Sequence, residues 1–577
     1  MIKRICIINE DLSGWLTALY ILSNTNSKVT LIQKEFKSSE VESIHPKIVE
    51  YLFESDLGLD DWMPKTSAAF RYGIGLHKWG WNTELQSFSG KAMRLIDSER
   101  TYNFGYDRNG NGFTILDAVL SNRIPAEGFM NWQPSRMLAI NCISPIRGIQ
   151  KLDYDTDRLT DPFHGVHWDT KKMYNVLKEK CLENDRFLLI EDGVNEDLTR
   201  EDNSRISTLT TAKGISITTD YIFDGVGILL NDYYNVEWES YDFLPNNSIM
   251  TFRKDYGDPL IECKPYSKMT IATRGYTMTL PLHDQNTFHY CYNNNWSEDD
   301  IKTELVNFSR AWNQDPVVYN FACGRSEHTF HKNVCGIGTV AGNVDPLYGL
   351  NYIPTILLVE RIVASAFDET LHCEGENWIQ KEFDLCMDEI SSFTAMPFAI
   401  VDYQATDYWK RTKTVKYPDK LNQTLDIAKR RPIRDFELDE IFGWNMINTT
   451  RTFFEHHYFE FMHGLQKEFP SVELYYHAEG DQNGTNIDID GRTLADAMGY
   501  YWDEIDYMAM CLEKWKWNIA KIGESFPPHW WYLNQWYNDY NVIWNNPAEQ
   551  KRLHADIGAG GFLQPSMIEG TPVGMYL

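Results

Sequence analysis

The sequence predicts an α/β fold built around a nucleotide-binding lobe, and three observations carry that prediction. The chain opens as strand, helix and strand. Two much later strands each run into closely spaced glycines. Between these pieces lie segments of alternating character that suit an inserted antiparallel sheet.

Lys3 to Asn9 is a short apolar run of the kind a buried strand needs, and Leu12 to Ser23 sets Leu16, Ala18, Leu19 and Leu22 along a helix. Lys28 to Gln33 is the second strand. Ser216 to Asp224 then leads into Gly225-Val226-Gly227, and Val334 to Gly338 repeats the pattern. The stretch Val334 to Leu350 is the most informative, with glycines at 336, 338, 342 and 349 and an Asp345-Pro346 turn. Glycine there lets main chain approach a bulky ligand or take positive φ; a tight turn between strand and helix explains the same residues without one.

Phe70 to Trp79 and Met269 to Tyr292 read as strands of a sheet inserted over roughly 70–140 and 235–330, where a substrate lobe would sit. From about Arg411 the chain turns helical and aromatic. Trp502, Trp515, Trp517, Trp530, Trp531, Trp536 and Trp544 crowd its last hundred residues, as a core packed on the first lobe or as a shelf for a flat substrate. The expected organisation is a discontinuous lobe over 1–410 with its inserted sheet, then a helical, aromatic-rich region over 411–577.

At 577 residues the chain is too long for one simple core. A formal net charge of -28 repels phosphate backbones over the whole surface, which argues against nucleic acid as a partner. The basic run Lys429-Arg430-Arg431 reads as a solvated helix end before Pro432. No segment approaches the ~20 uninterrupted apolar residues of a membrane span, and Glu10 and Asp11 cut the N-terminal apolar run too short for a secretory signal. A soluble protein without membrane association is expected. Ten cysteines with no C-x-x-C pair give neither a disulfide framework nor a zinc ribbon, so a reducing, cytoplasmic setting is expected.

Metal sites are not expected. Asp107-Arg108-Asn109-Gly110-Asn111-Gly112 opens like a calcium loop but has Ala118 where a bidentate Glu is needed, and Asp481 to Asp490 fails the same test. His456-His457 and His372-Cys373 are too isolated to hold zinc. The chain has no Gly-x-Ser-x-Gly elbow and no Walker loop.

Seven short pieces stand in a revealing order. They are Ile7 to Trp15 (strand, turn and Gly-Trp helix start), Val41 to Pro46, Phe70 to Trp79, His167-Trp168-Asp169, Asp224 to Gly227, Tyr276 to Pro281, and Gly338 to Gly349. In that order, and from residue 1 to about residue 450, they resemble the flavin-dependent tryptophan halogenase family. Their counterparts there are the glycine-rich dinucleotide turn, Gly-Glu-Ala-x-x-Pro, Phe-Lys-x-Gly … Asn-Trp, His-Phe-Asp, Asp-Cys-Ser-Gly, Trp-x-Trp-x-Ile-Pro, and Gly-Asp-Ala-Ala-Gly-Phe-x-x-Pro-Leu-Glu-Ser.

The resemblance implies a flavin monooxygenase-like fold with a Rossmann-type FAD lobe, an inserted antiparallel-sheet substrate lobe and a helical C-terminal region. It implies FAD that arrives reduced from a separate flavin reductase, with oxygen and halide giving hypohalous acid. That acid travels through a tunnel to a lysine, which with a glutamate directs halogenation of a small electron-rich aromatic substrate. Carried onto this sequence, the cofactor-binding positions are Ser13, Gly14, Gln33, Glu42, Ser43, Gly338, Thr339, Asp345, Pro346, Leu347 and Gly349, and the catalytic positions are Arg71 and Tyr348. A homo-oligomer is left open.

The chain also departs from that pattern. Asn9 and Asp11 occupy the first two fingerprint glycines, placing the Glu10 and Asp11 carboxylates where a pyrophosphate should lie; Asp11 or Ser13 as a helix cap is the simpler explanation. Gln33 replaces the acidic ribose ligand, and Thr339 replaces an aspartate expected on the ribityl chain. Arg71 stands for the lysine; a guanidinium donates hydrogen bonds to hypohalous acid but cannot become a haloamine. Lys78, an odd number of positions on, would point to the other face of a regular strand, while Lys65 upstream stays open as a substitute. Tyr348 and Gly349 replace Glu-Ser, and Tyr276 and Met278 replace both tryptophans.

Two functions compete. One is a divergent halogenase, an oxidoreductase acting on an aromatic substrate other than free tryptophan. The other is a halogenase-fold protein that has lost flavin chemistry and serves as a non-catalytic binding or assembly component. Glu42-Ser43, Gly338 and Asp345-Pro346-Leu347 favour the first; Asp11, Arg71 and Tyr348 favour the second. A hydroxylating monooxygenase fits the lost tryptophans and nothing else.

Overall fold

The first apolar run folds as the strand Arg4–Ile8 in the middle of a six-stranded sheet. The computed structural model describes residues 3–87, 164–443 and 528–538, with short interior stretches left out, together with 139, 142, 144, 452–453 and 457–458. The sheet runs Phe330–His331, Val334–Gly336, Tyr221–Asp224, Arg4–Ile8, Lys28–Ile32, Phe187–Ile190, and every pairing but the first is parallel. Parallel strands are covered on both faces, which is why Ile5 to Ile8 are all apolar and buried rather than alternating. Ile5 and Ile7 join Trp15, Leu16 and Leu19 of the helix Leu12–Asn24, while Cys6 and Ile8 face Ile206 and Leu209 on the other side.

The expected strand Ser216 to Asp224 is broken in two. Ser216–Thr218 pairs antiparallel in a separate side sheet, and only Tyr221–Asp224 enters the parallel one. Between them the Thr219 hydroxyl donates to the Tyr221 carbonyl at 2.7 Å and Asp220 pairs with Arg4, local bonds that compete with a continuous ladder.

The inserted lobe is a seven-stranded sheet in the order Val317–Asn320, Ser248–Asp255, Gln285–Tyr292, Gly275–Pro281, Ser267–Ala272, Gly73–His77, Leu85–Ser87. Phe70 to Trp79 is not one strand. Ala69–Arg71 pairs with Gly165–Asp169 in a small sheet shared with Val41–Ile44, and the chain changes sheets at Tyr72, whose N–H donates to the Pro265 carbonyl at 2.7 Å. The face argument relating Arg71 to Lys78 therefore does not hold, and Lys78 lies outside the described residues.

Beyond residue 350 the described chain is helical: Ile353–Ala366, Glu374–Ile400, Asp407–Thr412, Asp419–Ala428, Asp435–Phe442 and His529–Tyr537. Trp536 stacks on Phe70 with ring centroids 6.3 Å apart and donates Nε1 to Asp60 at 2.8 Å, so this helix packs as core on the small sheet. Trp502, Trp515, Trp517 and Trp544 lie outside the described residues, as do Lys429-Arg430-Arg431, Asp107 to Ala118, Asp481 to Asp490, His456 and His372-Cys373. Among the described residues no helix is long and apolar enough to cross a membrane, and no metal-ligand cluster occurs.

Candidate active-site cleft

Three parallel strands, Arg4–Ile8, Tyr221–Asp224 and Val334–Gly336, point their carboxyl ends at the inner face of the seven-stranded sheet, and a cleft of about 410 Å³ lies there. Crevices at the carboxyl ends of parallel strands are where α/β folds place ligands, and the volume suits a small molecule. Glu10 and Asp11 border it from the turn before the first helix and Ser13 from that helix's first turn, Glu42 and Ser43 from the strand Val41–Ile44, and Met278, Leu280 and His289 from the sheet.

Of the residues carried over from the resemblance, Ser13, Glu42, Ser43, Gly338, Thr339, Pro346 and Gly349 line this cleft together. Two glycines bring main chain hard against its walls. Gly338 has φ +59, and a Cβ there would lie 2.8 Å from the Ser13 hydroxyl. Gly349 has φ +69, and its Cβ would lie 2.0 Å from the Ser43 carbonyl oxygen. Glu42 accepts from the Tyr352 hydroxyl at 2.7 Å.

The other positions do not line it. Gln33 is turned into the protein, accepting from Trp15 Nε1 at 2.8 Å and donating to the Glu35 carbonyl at 3.1 Å. Asp345 is buried and accepts from the Tyr276 hydroxyl, from Asn246 Nδ2 at 2.8 Å and from the Leu347 N–H at 3.1 Å. Burial raises its pKa to about 6 against these bonds. Leu347 is core, and Lys65 points outward, 3.4 Å from Glu179. Arg71 and Tyr348 are buried beside each other: Arg71 Nη2 donates to the Tyr348 carbonyl at 3.1 Å and Nη1 to the Ile44 carbonyl at 3.3 Å. Burial lowers the Arg71 pKa, yet a guanidinium's intrinsic pKa, above about 12, keeps it charged.

FAD, which the resemblance implies, would meet these residues in two sections. The glycine-bordered section and the apolar sheet wall fit a flavin ring and its ribityl chain. The pyrophosphate section does not. A helix N-terminus binds phosphate through its first backbone N–H groups, but here the Asp11 carboxylate accepts from the Ser13 N–H at 2.7 Å and Asn9 Oδ1 accepts from the Gly14 N–H at 3.0 Å. Burial lifts the Asp11 carboxyl to about 6. Lys37 pairs with Glu10, so of the two carboxylates the sequence places there, Asp11 is the one that faces a phosphate uncompensated by that pairing.

Sequence reasoning missed two features beside the cleft. Ser43 Oγ lies 3.1 Å from Ser267 Oγ, which lies 2.8 Å from His167 Nε2, and burial holds that imidazole well below its ordinary pKa and so neutral. Separately, His289 stands in the sheet wall. Strand alternation around Gln285–Tyr292 was the one signal for it, and that alternation does not distinguish a core histidine from a functional one.

A family model described as tryptophan halogenase matches residues 4–472. A tryptophan 6-halogenase of Streptomyces albogriseolus, ThaL, is 21% identical over 448 residues, 74% of this chain and 81% of that protein. Another, SttH of Streptomyces toxytricini, is 21% identical over 454 residues, 73% and 83% of the two chains. The crystal structure of SttH superposes with a TM-score of 0.74 at 19% identity, covering 92% of this chain and 99% of that one. A tryptophan halogenase from Shewanella frigidimarina gives 0.75 at 15% identity, over 93% and 98%. These structures share the fold, and with a family match across four-fifths of its length the chain belongs to the tryptophan halogenase family.

Proposed function

We propose that this chain is a flavin-dependent halogenase, an oxidoreductase that uses reduced FAD, oxygen and halide to halogenate an electron-rich aromatic substrate, with a separate reductase supplying the flavin. The observation that supports it is the cleft at the carboxyl ends of the parallel strands, bordered by Ser13, Glu42, Ser43, Gly338, Thr339 and Gly349, in a chain of this family. When bound, reduced flavin would supply the oxygen-activating chemistry. The chain's own part is placement. Gly338 and Gly349 let the main chain pack against Ser13 and the Ser43 carbonyl, and Arg71 ties the turn Pro346–Tyr348 to the strand Val41–Ile44, fixing two walls of the cleft and setting a positive charge near them that favours halide. Arg71 supplies hydrogen-bond donors, not a haloamine.

The test is titration of the protein with FAD and with reduced FAD, followed by flavin fluorescence, then halide-dependent turnover of a panel of phenols and indoles. Binding with a dissociation constant on the order of tens of micromolar or below, and a halogenated product, are expected. Absence of binding by both forms at that level overturns the proposal. It would leave a non-catalytic binding or assembly component, the reading that the Asn9 and Asp11 caps favour.

A further inference from the structure

The seven-stranded sheet, part of which borders the cleft, carries on one face a group of buried polar side chains without partners among the described residues. His289, Thr251 and Thr287 are at most 1% exposed. Neither ring nitrogen of His289 nor either hydroxyl has a hydrogen-bond partner among the described residues. They share one face of the seven-stranded sheet. Thr287 is two residues from His289 on the strand Gln285–Tyr292, and Thr251 lies directly opposite His289 across the ladder. Phe288, Tyr290 and Tyr292, on the other parity, pack outward with Ile301 and Leu305 of the helix Glu298–Ser309.

Leaving a buried polar atom unpaired is destabilising, so three such side chains on one patch are not what packing alone selects. His289 also borders the cleft, among Ile249, Met278, Leu280 and Phe321. An apolar wall with a few convergent polar groups is the usual make-up of a small-molecule site. Burial, and then the Arg253 guanidinium, push the His289 pKa down to about 3, so the ring is neutral and offers one donor and one acceptor.

We infer that His289, which borders the cleft, is the hydrogen-bonding contact for the polar edge of a planar heteroaromatic ring bound there, with Thr251 and Thr287 next to it on the same sheet face. The ring presents at least one N–H to the acceptor nitrogen and lies flat against Met278 and Leu280. Two sources share that chemistry, the flavin nucleus and an N–H aromatic substrate such as an indole. The inference rests on the proposed function for the identity of those two rings.

The experiment uses the full chain and two separate probes: lumiflavin, which has the ring without ribityl chain or phosphates, and indole. Binding is followed by lumiflavin fluorescence and by calorimetry, alongside the imidazole ¹⁵N shifts of His289. His289→Phe is expected to weaken the responding probe by about tenfold or more, equivalent to ~1.4 kcal/mol. His289→Gln, which keeps a donor and an acceptor, should stay within about threefold of wild type. Thr287→Val provides a second variant should His289→Phe fail to fold. A lumiflavin response assigns the subsite to the cofactor ring, and a response of indole alone assigns it to substrate. Unchanged affinity of both probes in His289→Phe and Thr287→Val overturns the inference while leaving the halogenase reading standing, with ordered water then satisfying the patch. If lumiflavin and FAD both fail to bind wild type, the flavin reading falls and the indole arm alone decides the subsite; if indole fails too, the inference falls with it.

Discussion

The Arg71 guanidinium donates to the carbonyl oxygen of Tyr348 across 3.1 Å, and its other terminal nitrogen reaches the Ile44 carbonyl at 3.3 Å. The two positions that the resemblance pairs as lysine and glutamate thus meet in this chain through main-chain oxygen rather than through a carboxylate. The Tyr348 ring packs on Phe393 of the helix Glu374–Ile400, centroids 5.1 Å apart. Arg71 consequently joins strand, turn and helical region at the cleft's edge.

Replacing Arg71 by Met should remove both donors and strand two buried carbonyls. At roughly 1–3 kcal/mol for each unmade bond, a loss of about 2–6 kcal/mol of folding stability is expected in urea unfolding. Arg71→Lys keeps the charge but not the fork, so about half that loss is expected. A change under about 0.5 kcal/mol for the Met variant would show that these bonds hold nothing together.

Restoring glycine at Asn9 and Asp11 should tighten FAD binding and leave riboflavin binding unaltered, since riboflavin has no pyrophosphate. Two like charges ~4 Å apart at an effective dielectric of ~20 repel by about 4 kcal/mol, an upper limit of about three decades. Because the Asp11 carboxyl sits at about 6, lowering the pH from above to below that value should tighten wild-type FAD binding in the same selective way. Parallel titrations of both flavins check each arm, and equal gains for riboflavin would remove phosphate repulsion as the cause.

His529 holds its helix to the rest of the protein as a neutral ring, Nε2 accepting from the Phe70 N–H at 3.2 Å and Nδ1 donating to the Cys263 carbonyl at 3.1 Å. Protonation would put a hydrogen on Nε2, facing that N–H. Burial lowers its pKa from the ordinary 6.5 to about 4. The unfolded chain therefore binds more protons between those values, so this group's contribution is complete above about 6.5 and is lost as pH falls towards 4, by about 3 kcal/mol. Urea midpoints measured across that window should vary less steeply in His529→Gln, by about one proton; identical slopes would exclude the histidine.

Gly349→Ala should be destabilising by more than about 1 kcal/mol, because it combines a left-handed backbone with a Cβ 2.0 Å from the Ser43 carbonyl. Relief by moving the Val41–Ile44 strand would also shift Ser43, so ligand affinity should fall along with the melting temperature. Affinity and melting temperature both at wild-type values would contradict the close approach.

The parallel sheet was legible because its signals are local and redundant. Arg4–Ile8, Leu12–Asn24 and Lys28–Ile32 fall within a residue or so of the runs read from hydrophobic pattern. Where the pattern misled, the competing force was also local but polar. Thr219 and Asp220 interrupted one expected strand, and a hydrogen bond from Tyr72 to Pro265 divided another. Gln33 sat at the right place in sequence, yet its amide was claimed by Trp15.

By itself the sequence determined the α/β architecture, the glycine junction at Val334 to Leu350 and the family, because apolar periodicity and glycine placement act over a few residues and survive wide divergence. Only the tertiary structure decided what each polar group faces. It turned Asp11 onto the helix amides, gave Lys37 to Glu10, set Arg71 on two carbonyls, and brought His289, Thr251 and Thr287 together without partners among the described residues. Those pairings join residues up to 277 positions apart, and their energies depend on burial and on distances of about 3 Å that no local pattern encodes.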